Sequence, residues 1–174
     1  MADALETAAQ FGFTQQKLRD LAQTALDHAA KNGATACEVD VSESVGQSVS
    51  VRRQEVDTIE YNRDKGLGVT VYLGQRRGHA SSSDFSPAAV HETVAAALAI
   101  ARYTAEDDCA GLPDAKLLAK KSPDLDLFHP WDISVPSAID QAKNCEQAAF
   151  DVSPLIANSE GATVSIQEGH FVSA

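Results

Sequence analysis

Residues 60–102 read EYNRDKGLGVTVYLGQRRGHASSSDFSPAAVHETVAAALAIAR, and this stretch decides the fold. From Leu67 to Leu73 every second residue is apolar, which is the period of a half-buried β-strand. Gly74-Gln75 follows directly and predicts a turn into a second extended run, residues 76–82. The first half of the stretch therefore predicts a β-hairpin.

The second half of the same stretch predicts an amphipathic helix over residues 86–104. Ser86 suits the N-cap, and Pro87 suits the first helical position because that residue needs no intrahelical partner for an N–H. An apolar stripe at helical spacing follows, made of Val90, Val94, Ala97, Leu98 and Ala101.

The residues before this stretch predict one more helix and further strands. Thr14 can cap a helix over residues 14–32, and Gly33 suits its C-terminal end. Alternating apolar residues over 36–61 predict short strands, with turns at Gly46-Gln47 and Arg53-Gln54. We expect about five short strands in all, and they are antiparallel because parallel neighbours need longer crossovers.

The residues after Tyr103 predict a different organisation. Residues 106–135 are rich in proline and lack a sustained period, so we expect an ordered connecting segment there. Pro136 begins a third helix, and its inward residues are predicted to be Ile139, Ala142 and Cys145. Beyond Ile156 the alternation at Val164 and Ile166 predicts the start of a second sheet.

The predicted fold class is thus α+β. An antiparallel meander sheet over residues 36–82 is covered by two amphipathic helices, with a third helix and the start of a second sheet. We predict an N-terminal α+β domain over residues 1–105 and a connecting segment over 106–135. Residues 136–174 hold the third helix and begin a following β-rich domain that we expect to be truncated.

Composition narrows the class of protein. The net charge of −11 and the isoelectric point near 4.7 argue against a nucleic-acid-binding surface, which would be basic. No run approaches the roughly 18 apolar residues of a membrane helix, and the N-terminal residues lack the lysines of a signal peptide. Three widely spaced cysteines favour a reduced, cytoplasmic protein over a disulfide framework.

His91-Glu92 is the first place to look for zinc chemistry, because this pair lies on the predicted second helix. A zinc-binding HExxH or HExxxH motif needs a second histidine at position 95 or 96, and these are Ala95 and Ala96. We therefore interpret the pair as part of an exposed polar helix face.

The other candidate residues also favour structural roles. Four histidines are isolated from ligand partners, namely His28, His79, His129 and His170.

Cys109 follows two aspartates that disfavour a thiolate, whereas Cys37 and Cys145 lie on apolar faces. Gly66-Leu67-Gly68 lies within a strand and indicates a bulge or a close backbone approach rather than a phosphate loop. We therefore assign no catalytic, metal or cofactor-binding residue, and residues that contact a peptide or partner stay unassigned.

Six sequence blocks carry a resemblance to a known family. They are GLGVTVY, RRGHASSSD, SPAAVHETVAAALAIARYT, DDCAGLPD, SPDLDLFHPWD and NSEGATVS. In this order they resemble the N-terminal region of the TldD/PmbA proteins, in particular the PmbA (TldE) branch. Some family members are called modulators of DNA gyrase, but the charge of this chain does not support direct DNA contact.

The resemblance implies the N-terminal part of a PmbA/TldE-type subunit. Its TldD-like partner would supply the zinc of a cytoplasmic metallopeptidase complex that cleaves unfolded peptides, in peptide maturation and antitoxin turnover. Family members are more than twice as long, which favours a fragment over a short natural protein. This chain alone is expected to be inactive and to hold no cofactor. The alternative is a free-standing α+β interaction module that modulates a regulator without proteolysis.

Overall fold

The computed structural model describes residues 11–118 and 123–174. Its elements, in chain order, are α1 (Gln15–Lys31), β1 (Ala36–Arg52), β2 (Glu55–Leu73), β3 (Arg76–Ser82), α2 (Pro87–Tyr103), α3 (Val135–Val152) and β4 (Ala162–Ser173). The strands form one four-stranded antiparallel sheet in the order β3-β2-β1-β4. The predicted α+β class is confirmed.

The first two helices begin where the sequence predicts. The Thr14 hydroxyl accepts a hydrogen bond from the Lys17 backbone N–H at 3.1 Å, and the Ser86 hydroxyl accepts one from Ala89 at 3.3 Å. Gly33 follows α1 with a φ of +90°, a conformation that glycine adopts without steric cost.

The sheet contains long strands where the sequence predicts short ones. The turn at Arg53-Gln54 is confirmed, but the predicted turn at Gly46-Gln47 is wrong because both residues lie inside β1. A Cβ at position 46 would overlap the Asn62 side chain. Gly46 therefore permits close packing between strands, and it does not reverse the chain.

The strand near the C-terminus joins the same sheet, so the predicted start of a second sheet is wrong. Val39 and Ala174 exchange backbone hydrogen bonds of 2.8 and 2.9 Å, which pairs β4 with β1. On the side of β1 that faces away from β2, the backbone N–H and C=O groups need hydrogen-bond partners, and β4 provides them. The proposed domain boundaries stay a prediction, and residues 1–10 and 119–122, on which they partly rest, lie outside the described residues.

The chain divides into two compact units. Unit 1 comprises residues up to Glu43, Asp64–Asp124 and Gly169–Ala174, and unit 2 comprises Ser44–Arg63 and Leu125–Glu168. In unit 1, α1 and α2 bury their apolar stripes against the sheet, as predicted. The core of unit 1 consists of Leu18, Leu21, Ala22, Ala25, Ala29, Val39, Val41, Leu67, Val69, Val71, Phe85, Val90, Val94, Ala97, Leu98 and Ala101.

A glycine on β3 lets α2 approach the sheet closely. A Cβ on Gly78 would overlap the backbone carbonyl of Ala97. The bulge or close approach predicted at Gly66–Gly68 is not found, because β2 and β3 keep a regular register from Leu67 to Leu73. A Cβ on Gly68 would meet only ordinary contact, 3.5 Å from the His79 ring.

Unit 2 buries few apolar side chains. On β1 the buried residues are Val49 and Val51, and on α3 they are Ala138, Ala142 and Glu146. These α3 residues recur every four positions and define its buried stripe. The prediction that Cys145 faces inward is wrong, because this residue lies beside the stripe and is exposed, and Ile139 is half-buried.

Across residues 11–118 and 123–174, none of the helices is long and apolar enough to cross a membrane.

Candidate functional site

The His91-Glu92 pair lies on an exposed part of α2. The His91 ring stacks on the His28 ring of α1, with centroids 4.1 Å apart and planes 11° from parallel. Burial lowers the pKa of His28, and the neighbouring His91 and Lys31 lower it further. The two imidazoles therefore form a packing contact between helices, which the sequence did not predict.

The remaining histidines lie apart from one another. His79 Nδ1 is 3.0 Å from the Thr70 hydroxyl on the neighbouring strand, and His129 Nε2 is 2.7 Å from the Asp126 carbonyl oxygen. Within the described ranges, no three His, Cys, Asp or Glu side chains come together in a group that could hold a metal ion. The described residues thus do not fit the zinc site of a metallopeptidase, and we assign them no hydrolytic step.

The three cysteines occupy different environments. Cys37 is half-buried, and burial, reinforced by the neighbouring Glu38 carboxylate, raises the pKa of its thiol to about 11. Cys109 and Cys145 are exposed. A thiol with so high a pKa is a poor nucleophile at neutral pH, and Cys37 packs against the apolar core of unit 1.

Unit 1 holds a buried carboxylate that the sequence analysis missed. Glu43 is 2% exposed and accepts hydrogen bonds from the backbone N–H groups of Gly12, at 2.7 Å, and Phe13, at 3.0 Å. His170 Nε2 lies 3.4 Å from the same carboxylate, and its ring stacks on Phe11. Glu43 therefore fastens residues 11–13 to the sheet.

Unit 2 holds a second such carboxylate, which was also missed. Glu146 accepts hydrogen bonds from the backbone N–H groups of Arg53, at 2.8 Å, and Gln54, at 2.7 Å. Burial raises the pKa of Glu146, but hydrogen bonds from Gln54, Arg53 and Ser159 outweigh it and lower the pKa below its ordinary value. Arg53 and Gln54 have φ values of +52° and +64°. Two consecutive non-glycine residues at positive φ need outside support, and this is the signal that could have pointed to Glu146.

The outer edge of β4 is the feature best suited to bind another chain. Since β4 is the last strand in the sheet order, no described strand pairs with its outer side. Val39 and Ala174 form a hydrogen-bonded pair, and Ser50 and Thr163, whose hydroxyls are 2.8 Å apart, continue the same register. Because hydrogen-bonded pairs alternate along antiparallel strands, Thr163, Ser165 and Gln167 direct their backbone N–H and C=O groups outward.

This edge lacks the usual features that prevent strand pairing. Edge strands are commonly protected by charged residues or proline. Over Ala162–Ser173 the one carboxylate is Glu168, and there is no proline. Thr163, Ser165 and Gln167 carry uncharged polar side chains that are exposed to solvent. Toward the C-terminal end of β4, Gln15 Nε2 donates to the Phe171 carbonyl oxygen at 3.0 Å, so the open part is centred on Ser165.

Comparison with known proteins gives a consistent result. Residues 37–101 match the family model described as PmbA/TldA metallopeptidase domain 1. Metalloprotease PmbA from Escherichia coli O157:H7 is 45% identical over 169 residues, which cover 97% of this chain and 37% of that protein. The Metalloprotease PmbA homolog from Haemophilus influenzae is 44% identical with the same coverage.

Solved structures share the fold. A crystal structure described as a modulator of DNA gyrase, from Bacteroides thetaiotaomicron, matches 89% of this chain with a TM-score of 0.65 and 24% identity. TldE from Thermococcus kodakarensis matches 91% with a TM-score of 0.62 and 18% identity. In each case the match covers 35% of the solved chain. The present chain thus spans little more than a third of the length of these relatives.

Proposed function

The chain belongs to the PmbA/TldD family of metallopeptidases, and on that premise we propose that it is the N-terminal part of a PmbA/TldE-type subunit. In this proposal a TldD-like subunit holds the zinc ion and cleaves the peptide in a cytoplasmic heterodimer. The present chain contributes a surface that holds the unfolded peptide in an extended conformation.

The observation that carries the proposal is the open outer edge of β4 at Thr163, Ser165 and Gln167. A peptide that adds a strand to a sheet edge is bound through its backbone N–H and C=O groups. Every residue except proline offers the same two groups, so such an edge accepts peptides of unrelated sequence. The side chains of Thr163, Ser165 and Gln167 are polar and uncharged, so they add little side-chain selectivity.

In this proposal, backbone recognition also favours unfolded substrates. In a folded protein most backbone groups are already paired within helices and sheets, and they are not free to join another sheet. An extended, unfolded chain has these groups available. The proposal therefore assigns substrate selection to chain flexibility and leaves the cleavage chemistry to the zinc-bearing partner.

Cleavage of a disordered peptide tests the proposal. The assay compares a full-length polypeptide that contains this chain, a TldD-type subunit, and their mixture, each with and without a chelator. We expect cleavage by the mixture that the chelator abolishes, and no cleavage by the 174-residue chain alone. Chelator-sensitive cleavage by this chain alone would contradict the proposal, and an inactive mixture would favour the interaction module that acts without proteolysis.

A proline substitution separates the role of the β4 edge from that of the partner. Ser165→Pro removes one outward N–H, and edge strands tolerate proline where that N–H faces solvent. We expect the full-length Ser165→Pro variant to keep its fold and its association with the partner but to lose most peptide cleavage. Ser165→Ala is the matched control and is expected to cleave normally. If Ser165→Pro cleaved as well as Ser165→Ala, the edge would not be the peptide site.

A further inference from the structure

A side chain of α1 closes the outer edge of β4 at its C-terminal end. Gln15 Nε2 donates a hydrogen bond to the Phe171 carbonyl oxygen at 3.0 Å. Phe171 directs its backbone groups outward, because it lies an even number of positions from Ser165 along β4. Its carbonyl oxygen is therefore one of the acceptors that an added strand would use. Gln15 occupies the place that a backbone N–H of a bound peptide would take there.

The segment before β4 closes the same edge at its N-terminal end. The Gly161 backbone N–H donates to the Ser159 hydroxyl at 2.8 Å, so it is not available to a peptide. Gly161 also has a φ of +103°, which lies outside the extended range of a strand. Strand β4 begins at the next residue, Ala162. Pairing along the outer edge therefore ends at Thr163 in this direction.

Between these two ends, no described strand pairs with the outer side of residues 163–169. Four residues of this range direct their backbone N–H and C=O groups outward and are exposed, namely Thr163, Ser165, Gln167 and Gly169. Each of them can exchange two backbone hydrogen bonds with a residue of an antiparallel peptide. The open edge therefore matches about seven residues of an extended peptide.

The surroundings of Gln15 hold its side chain in place. Gln15 is the first residue of α1, and the Thr14 hydroxyl caps this helix. The two residues before Thr14 donate their backbone N–H groups to the buried Glu43 carboxylate. Gln15 is itself half-buried. A side chain that is already confined loses little further entropy on the Phe171 carbonyl oxygen, so it competes well with the N–H of a peptide.

We propose that Gln15 is a length-determining residue of the peptide site, which limits pairing on the β4 edge to about seven residues of an extended peptide. The length limit rests on the proposed function, because it concerns the same site. It adds a substrate class, namely unfolded segments at least as long as the open edge. Shorter peptides form fewer hydrogen bonds and bind more weakly, whereas the extra residues of longer peptides find no partner at Phe171.

Amide NMR titrations of the 174-residue chain with peptides of increasing length test the limit. The peptides consist of alanine, serine and threonine, have blocked ends, and are five, seven or nine residues long. For the wild-type chain we expect the dissociation constant to fall several-fold from five to seven residues. From seven to nine it should fall only slightly, because a longer peptide can bind at more positions. The Phe171 signal should move much less than that of Gln167.

Gln15→Ala removes the side-chain amide and frees the Phe171 carbonyl oxygen. For this variant we expect the nine-residue peptide to bind several-fold more tightly than the seven-residue peptide and to shift the Phe171 signal. Gln15→Glu also lacks the N–H donor and should give the same lengthening if Gln15→Ala disturbs α1. Gln16→Ala is the matched control, because the Gln16 amide donates to Asp20 within α1 and should leave the length limit as in the wild type.

Two outcomes distinguish the length limit from the proposed function itself. If peptides shift the β4 signals but both Gln15 variants keep the wild-type length dependence and an unmoved Phe171 signal, Gln15 is only a structural contact. The length limit is then wrong, and the proposed function stands. If no peptide shifts the β4 signals of the wild-type chain or of any variant, both the length limit and the peptide site on β4 are wrong.

Discussion

The two units of this chain are stabilised in different ways. Unit 1 buries a continuous apolar core contributed by two helices and the sheet. Unit 2 buries only small or β-branched apolar side chains on β1 and α3, together with the carboxylate of Glu146. Each unit thus buries one hydrogen-bonded carboxylate, Glu43 or Glu146, but unit 1 adds a much larger apolar core to it.

The difference extends to the surfaces of the two units. Both units expose large apolar side chains, such as Tyr103 and Phe171 in unit 1, but more of them belong to unit 2, including Tyr61, Val152 and Leu155. Exposed apolar side chains together with open strand edges are typical of surfaces that bind other chains. The comparison therefore teaches that unit 1 is specified by its own apolar core, whereas the buried part of unit 2 is smaller.

Truncating one leucine in each unit should give the largest difference. Leu18 is fully buried in unit 1, and Leu18→Ala is expected to lower the free energy of unfolding by about 2–5 kcal/mol. Leu155 in unit 2 is 90% exposed, and Leu155→Ala is expected to change it by less than about 0.5 kcal/mol. Urea unfolding of both variants measures the effect. Equal losses would show that Leu155 is packed against other residues and is not exposed.

Substitution of two glycines in unit 1 tests whether α2 packs closely against β3. Gly78→Ala would place a Cβ on the α2 backbone, and we expect a loss of about 1–3 kcal/mol in unfolding free energy. Gly68→Ala, on the neighbouring strand, meets only an ordinary contact. Because glycine weakens strand interiors, we expect Gly68→Ala to stabilise the protein by about 0.5 kcal/mol. Thermal unfolding measures the stability of both variants. If Gly78→Ala were as stable as the wild-type protein, α2 would not approach β3 as closely as described.

Acidification should weaken unit 2 through Glu146. Because the pKa of this group in the folded state is below its ordinary value of 4.5, ionised Glu146 stabilises the Arg53-Gln54 turn at neutral pH. That stabilisation is lost as the pH falls below 4.5 and through the folded-state pKa. We expect the protection of the Arg53 and Gln54 amides from exchange, measured relative to an unfolded chain at the same pH, to fall over this range. In Glu146→Gln the exchange should be fast already at neutral pH, and an unchanged profile in that variant would contradict the assignment.

The reactivity of two cysteine thiols, Cys37 in unit 1 and Cys145 in unit 2, should differ, and this test requires no substitution. With a pKa of about 11, Cys37 is roughly 0.1% thiolate at pH 8. We expect iodoacetamide to alkylate the exposed Cys145 of unit 2 much faster than Cys37 of unit 1, as measured by peptide mass spectrometry. In denaturant the rates should converge. Equal rates in the folded protein would show that Cys37 is not shielded.

The sequence predicts unit 1 well because its signals are local and periodic. The caps at Thr14 and Ser86 and the apolar stripes of α1 and α2 are all found. The predictions failed where a long-range contact decides the structure. The sequence predicts a turn at Gly46, because its contact with Asn62 is visible only in the structure. It also predicts that β4 begins a new sheet, because the pairing of β4 with β1 joins residues that are distant in sequence.

The buried carboxylates were missed for the same reason. Glu43 and Glu146 each bind two consecutive backbone N–H groups that are distant in sequence. Neither residue lies in a recognisable motif, and a glutamate on a strand or helix normally reads as a solvent-exposed position. The sequence did not predict the open strand edges either. The strands at the two ends of a sheet are known only once the strand order is known, and the residues of one strand do not reveal that order.

The central claim is that the outer edge of β4 binds extended peptides through their backbone. Amide NMR spectra of the 174-residue chain, titrated with two disordered peptides of unrelated sequence, test it most directly. We predict that both peptides shift the signals of Thr163, Ser165 and Gln167, and that the same peptides with alternate backbone N-methylation do not. If these three signals stayed unmoved by the unmodified peptides, or moved equally with the N-methylated ones, the claim would be wrong.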